Sequence, residues 1–369
     1  MPVYEIAPVV FDIGSAYTKL GFVAEPHPRS IVPTQIISGT SPTTSKPLFE
    51  YKNQLQLYDQ VVDFVQTLFF KHLLVNPKER KVVIVESVLC PTEIREVFAK
   101  VLFRHFDISS ILFVTSHLVA LSTLAIETGL VVDIGHKEAT VIPVYSGVQV
   151  LFAWQAQPLA AEAVHTEIKR QLIENGVSSE LLTDDIIEEI KVRTCFVTTY
   201  ERSQKYKNNE EVSPPPDVSY PIQGKETITI PGKLRETAYE VLFPEDNDRL
   251  GLPYIILDAI AACSLDMRKT LLENLVILGG TAMAQGLTAR LKDELITLLK
   301  TGVYKEKLHT TTVKFHRLPA KENFAAWLGG SIYGGTEMLK AKGLAKETYM
   351  KLNRVPDWIN LDDNRPWGN

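Results

Sequence analysis

Leu130–Val131–Val132–Asp133–Ile134–Gly135 repeats, almost residue for residue, the stretch Val9–Val10–Phe11–Asp12–Ile13–Gly14 near the N-terminus. Each is an apolar run ending in an aspartate and a glycine. Each is followed by a second apolar run, Tyr17 to Val23 in the first case and Thr140 to Tyr145 in the second. Short β-favouring runs joined by Gly and Ser read as hairpins, with Ser15–Ala16 as the first turn. The aspartates stand 121 residues apart, too far for a solenoid period. A duplicated lobe accounts for that spacing, each copy opening strand–Asp–x–Gly–strand. At 369 residues the chain exceeds what one core usually holds, which agrees with two lobes.

Outward from these hairpins the pattern is α/β. Asp59 to Leu74 carries apolar residues at helical spacing. Val82–Val83–Ile84–Val85 reads as a central strand. Pro91 to Phe103 reads as a helix with Thr92 as N-cap and Arg95 on its exposed face. Ile111 to Val114 is a further strand and Leu118 to Glu127 a helix. In the second half Glu162 to Glu174, Thr183 to Val197 and most of Arg249 to Lys269 read as helices. Ser203 to Gly224, with Pro214–Pro215–Pro216, reads as an exposed loop that folding does not need. Asn274 to Thr281 predicts a strand and tight turn, then a helix from Ala282 to Lys300. Ala326–Trp327–Leu328–Gly329–Gly330–Ser331 opens another helix.

Composition narrows the class. With 45 % hydrophobic and 22 % charged residues the chain is an ordinary globular one. A net charge of −5 leaves no overall basic footprint for nucleic acid. The longest apolar stretch, Ile111 to Ile126, is broken by Ser116, His117, Ser122 and Thr123 and is short for a bilayer, so no membrane insertion is expected. Cys90, Cys195 and Cys263 stand far apart, without zinc or disulfide spacing, and suit a reducing cytosol.

Three elements carry candidate chemistry. Gly14 lets backbone N–H groups approach a phosphate, Ser15 lies in the same turn, and Lys19 lies past it as a point charge. Asp12 suits a magnesium ion held through water. The plain alternative is a hairpin with an acidic strand end. Asp133 and Gly135 repeat the device, and two such hairpins facing each other make a phosphate clamp. Gly279–Gly280–Thr281 adds a strand–Gly–Gly turn that lets a flat ring lie close to the backbone. Its alternative is a tight turn with Thr281 as N-cap.

In this order and spacing the motifs resemble the actin family. They are Asp12-x-Gly-Ser with Lys19-x-Gly21-Phe22, Asp133-x-Gly135 with Pro143-x-Tyr145, Asn274 with Gly279-Gly280-Thr281, and Trp327-x-Gly329-Gly330-Ser331. Arg29-x-x-x-Pro33 and Asp266-x-Arg268-Lys269 fit as well. More narrowly, Glu86 to Pro91, Arg193-Thr-Cys195, Ser213 to Pro216 and Pro356-Asp-Trp358 resemble the actin-related subunits at the pointed end of dynactin. The resemblance implies an actin-like fold of two mixed-sheet α/β lobes, each five-stranded, around a nucleotide cleft, as in hexokinase and the large heat-shock chaperones. It places residues 1–123 and 325–369 in the first lobe, with a small appendage at 34–58. Residues 124–324 form the second, with a mostly helical appendage at about 161–247.

The departures from the family weigh on function. Ser116 stands where actin places its water-orienting glutamine, and Thr140 where it places a histidine. His136–Lys137 replaces Asp–Gly in the second loop, and Ala16 replaces a glycine in the first. Val192, Ala284 and Asn323 replace a ribose-binding glutamate, a ring-stacking tyrosine and a nucleotide-facing lysine. Without a residue that positions water, hydrolysis is not expected. His117 is the one substitute nearby, and a histidine at an apolar helix start is more often a core residue. What the resemblance leaves is weak binding of ATP or ADP with magnesium through Asp12, Gly14, Ser15, Lys19, Asp133, Gly135, Gly279, Gly280 and Thr281.

Only 24 residues separate Pro33 from Tyr58, where actin carries a longer segment that hooks the next subunit. The resemblance therefore implies a non-catalytic cap on the pointed end of dynactin's filament of actin-related protein one. Its partners would be the pointed-end subunits four, five and six, and indirectly dynein and cargo adaptors. Thr123, Ala125, Val148, Tyr333, Thr336 and Met338 would meet the filament, their alternative being packing within the first lobe. The rival readings are an ATP-binding switch or ATPase of the same superfold, such as a sugar kinase, and a chromatin-remodeller actin-related protein.

Overall fold

The computed structural model describes residues 6–37, 45–222, 226–244 and 250–356. The chain divides into two compact units, residues 1–125 with 324–369 and residues 126–323. Asp357 and Trp358 of the Pro356 motif lie outside the described residues, as do 38–44 of the small appendage.

In the first unit a mixed sheet runs in the order Leu344–Ala345, Ser110–Thr115, Lys81–Glu86, Val9–Ile13, Tyr17–Phe22, Ser30–Pro33. It has six strands where five were expected, because the two-residue strand Leu344–Ala345 adds to one edge. Val9, Val10 and Phe11 are fully buried, as a central strand covered on both faces requires. The helix Ala325–Gly334 lies on the sheet. Its Trp327 is buried and donates from Nε1 to the Val10 carbonyl at 3.2 Å. A Cβ at Gly329 would collide with the Val119 carbonyl and one at Gly330 with Val85. The Trp-x-Gly-Gly-Ser motif is thus a packing device that lets a helix sit close on a sheet.

Several helices differ from their sequence reading. The first begins at Gln54, five residues early, because the Asn53 side chain accepts the Gln56 N–H. It continues from Leu68 to Leu73 as a π-helix. The helix Thr92–Lys100 has Pro91, not Thr92, at its N-cap position and carries no side-chain cap. Arg95 is half-buried rather than fully exposed, and its guanidinium lies 2.6 Å from the Glu86 carboxylate. The helix Ser116–Ser122 stops well before Glu127, and Ala125 has φ of +52°.

The second unit repeats the frame. The hairpin Gly129–Ile134 and Ala139–Tyr145 pairs on its far side with the parallel strand Leu275–Leu278. Val148–Gln149 and Gln155–Gln157 complete five strands. Helices Ala161–Glu174, Asp184–Thr194, Leu252–Ala262 and Leu287–Lys300 bury apolar residues around this sheet.

The 203–224 stretch is not a loop throughout. Tyr200–Lys207 is a helix with Ser203 buried, and Val218–Ile222 is a strand paired with Glu226–Ile230. Two of the stretch's polar side chains, Ser203 and Tyr206, bond to groups further along the chain, while Lys205, Lys207 to Glu211, Ser213 and Asp217 stay exposed. Glu236, 1 % exposed, accepts from Arg202 Nε at 3.0 Å and Nη2 at 2.9 Å, and from the Tyr206 hydroxyl. Arg290, also 1 % exposed, donates to Glu294, Glu240, Ser203 and the Thr198 carbonyl. Nor is the proline segment loose. Arg202 holds the Ser213 carbonyl at 3.1 Å and Arg235 the Pro216 carbonyl at 2.6 Å.

Candidate functional site

Both hairpins place their aspartate by the same register. Asp12 lies opposite Lys19 on the antiparallel side and beside Val85 on the parallel side. Asp133 lies opposite Thr140 and beside Leu278. The residue after that parallel partner is Glu86 in the first unit and Gly279 in the second. The duplicated frame therefore holds two pairs of corresponding positions, Lys19 with Thr140 and Glu86 with Gly279. Each pair differs in charge.

In the first unit the loop is closed on itself. Gly14 donates its N–H to the Tyr17 carbonyl at 3.1 Å. The Lys19 ammonium sits 3.1 Å from the Asp12 carboxylate, both side chains largely shielded from water. Ser15 is half-buried in the turn. A lysine held this way shares its field with a fixed anion, which weakens its pull on a phosphate. Ser116 and His117 are buried, and the Ser116 hydroxyl shares a hydrogen bond with His117 Nδ1 at 3.2 Å. His117 is thus the core histidine rather than a water-facing one.

Glu86, which sequence reading passed over as part of a motif, is buried at the end of its strand. Burial raises its carboxyl, and the charge and hydrogen bonds of Arg95 oppose that. Burial, with the neighbouring Glu86 charge, pushes the Cys90 thiol up to about 12, which keeps it protonated and unreactive.

In the second unit Gly279 has φ of +101°, and a Cβ there would meet the Ile134 carbonyl and the Asp133 carboxylate. Only glycine fits such a left-handed position with backbone this close. The Thr281 hydroxyl donates to the Gly135 carbonyl at 2.6 Å, tying the Gly–Gly turn to the loop after Asp133. Thr281 is therefore a cross-link, not an N-cap. Thr281–Met283 forms one 3₁₀ turn, and the long helix starts only at Leu287 rather than Ala282. Gly286, at φ of +91°, interrupts the two.

The loop Gly135–Glu138 is fastened from behind. Its Gly135 and His136 carbonyls accept N–H groups of Ala161 and Glu162 at the start of a helix, at 3.3 and 2.8 Å. The His136 ring packs edge-on against His165, centroids 5.7 Å apart. His165 Nε2 lies 2.8 Å from Glu188 and 2.9 Å from the ammonium of the buried Lys191, which donates to Glu188 at 2.6 Å. Burial, then the charges of His165 and Lys191, lowers the His136 pKa. Burial raises Glu188, but the His165 hydrogen bond and the Lys191 charge outweigh it and bring it down to about 2. Burial and Asp133 raise Glu138 against the opposing charge of the exposed Lys137. Of the positions that replace family nucleotide contacts, Val192 is 68 % exposed, and Asn323 Oδ1 is buried with no hydrogen-bond partner among the described residues. No His, Cys, Asp and Glu group suited to a metal ion occurs among the described residues.

The residues expected to meet a filament differ in exposure. In the first unit Ala125, Thr336 and Met338 are exposed, while Thr123 and Tyr333 are half-buried. The Thr123 hydroxyl donates to the Ala120 carbonyl at 2.7 Å and so also closes its helix. In the second unit Val148 is 67 % exposed. Sequence reading missed its neighbours Phe152 and Trp154, 74 % and 42 % exposed. Two exposed aromatics within three residues would have been the signal.

Residues 3–352 match the family model described as Actin, and the chain belongs to the actin family. It is also similar to Actin-related protein 10 of Dictyostelium discoideum. The two are 28 % identical over 430 aligned residues, covering 96 % of this chain and 89 % of that protein. No helix among the described residues is long and apolar enough to cross a membrane.

Proposed function

We propose that this chain is a non-catalytic actin-related subunit that caps the pointed end of dynactin's actin-like filament. It scaffolds the pointed-end complex for dynein-driven transport in the cytoplasm. The carrying observation is the buried Ser116–His117 pair at the helix start where an actin places its water-orienting side chain. A hydroxyl this short, bonded to a buried ring, has no reach toward a lytic water. The likeness to Actin-related protein 10 and the motifs shared with dynactin's pointed-end actin-related subunits support the partner assignment. Those partners are the filament of actin-related protein one and the pointed-end subunits four, five and six.

Nucleotide, in this reading, is held weakly and through its phosphates. The candidate phosphate contacts are Asp12, Gly14, Ser15 and Lys19 within the first unit, and Asp133, Gly135, Gly279, Gly280 and Thr281 within the second. Magnesium would be held through water by the aspartates, where it would offset phosphate charge. Filament attachment uses the exposed Val148, and on the first unit Tyr333 with Thr123, Ala125, Thr336 and Met338. The test is a pull-down of the native protein from cytosol, with single-turnover hydrolysis on the purified chain. Dynactin subunits should co-purify, and no phosphate should be released at an actin-like rate. Turnover abolished by Asp133→Ala, with no dynactin recovered, would overturn this reading in favour of an ATPase.

A further inference from the structure

Ser213–Pro214–Pro215–Pro216 is pinned to the surface in one extended conformation that nothing above employs. Proline fixes φ near −65°, and a residue before proline is pushed out of the helical region. Ser213, Pro214 and Pro215 all precede a proline, and residues 210–217 are neither helix nor strand. Polyproline II backbone is what remains. Beside the two arginine clamps, Asp217 accepts the Gly232 N–H at 2.7 Å. Gly232 also brings its backbone so near the Pro215 carbonyl that a Cβ would collide with it.

Polyproline II has three residues per turn, so three consecutive prolines head its three edges. Pro215 is half-buried, while Pro214 and Pro216 are exposed. One edge therefore turns to the body and two face water. Modules that read polyproline II seat such a ridge between aromatic side chains. A free tail would lose conformational entropy on docking, and here the fold has already fixed it. The flanks add charge: Glu210, Glu211 and Asp217 are exposed, and of the two arginines that clamp the strip Arg202 is already paired with Glu236.

We infer that residues 210–217 form a docking strip for a protein module that reads polyproline II through an aromatic-lined groove with a basic rim. The test titrates the full-length chain with purified EVH1, WW and SH3 domains by calorimetry, with thermal melts confirming the fold of every variant. A basic-rimmed domain should bind at a Kd well below about 1 mM. Binding should weaken roughly tenfold in Pro214→Ala/Pro216→Ala, the scale of a lost anchor. Glu211→Lys, a change at an exposed side chain, should weaken it several-fold at low salt and less at high salt. A synthetic peptide of residues 209–218 should compete, but more weakly than the folded chain. The inference fails if none of the three domains binds, if binding survives both variants, or if only acidic-rimmed domains bind.

Discussion

Replacing Ser213–Pro216 by Gly–Ser–Gly–Ser separates composition from structure, because the segment looks like a dispensable loop and packs like a strap. The Arg202 and Arg235 bonds go to backbone carbonyls, so the replacement keeps their acceptors and removes the stiffness that presents them. Each proline lost returns about 0.4–1 kcal/mol of unfolded-state entropy, so three return about 1–3 kcal/mol. The two arginine bonds are charge-assisted but partly exposed, and loosening them costs about 0.5–1 kcal/mol each. The sum is about 2–5 kcal/mol. A unit the size of residues 126–323 shifts by about 2–4 °C per kcal/mol. The calorimetric transition of that unit should therefore fall by roughly 4–20 °C. Arg235→Met, which also releases the Thr194 carbonyl, should reproduce part of the drop. A midpoint within a degree of wild type would show that the clamps do not hold the segment in solution.

The remaining expectations concern charge. Arg290→Met should cost about 3–5 kcal/mol in denaturant unfolding, because Glu240 and Glu294 lose a shared buried cation; adding Glu294→Leu should recover part of it, and no recovery would refute the pairing. Stability should fall on acidification in two windows. His136 is lowered below its ordinary 6.5, so the unfolded chain gains a proton the folded one refuses, and stability is lost as pH drops below 6.5. Glu188 is held at about 2 against an ordinary 4.5, so its contribution is whole above 4.5 and is lost as pH falls toward 2. In urea melts His136→Gln should flatten the upper window alone; an unchanged slope there would remove His136 as the cause. ATP should bind more weakly than about 1 µM, and Lys19→Met should weaken it further, because it removes a phosphate contact and the cation beside the Asp12 carboxylate. Sub-micromolar binding, or an affinity unchanged in that variant, would contradict it.

What the sequence determined by itself is the frame. Two apolar runs that end in Asp–x–Gly, separated by a whole lobe, fix two hairpins, since strand pairing and tight turns follow from neighbours a few residues apart. The register that seats Asp12 opposite Lys19 and Asp133 opposite Thr140 is local in the same sense. The short side chains of Ser116 and Thr140, which the resemblance sets where actin positions water, were equally legible. Tertiary structure alone decided how those groups are engaged. Thr281 reaches the Gly135 carbonyl across 146 residues, the buried Glu236 gathers the half-exposed Arg202 and Tyr206 onto itself, and Gly286 breaks a helix that periodicity would have carried on. A polar residue scores as solvent-facing in any local window. Only a partner far along the chain, arriving with opposite charge and geometry, makes its burial affordable and turns residues 203–222 from an expected loop into the end of a helix, a strap and a strand.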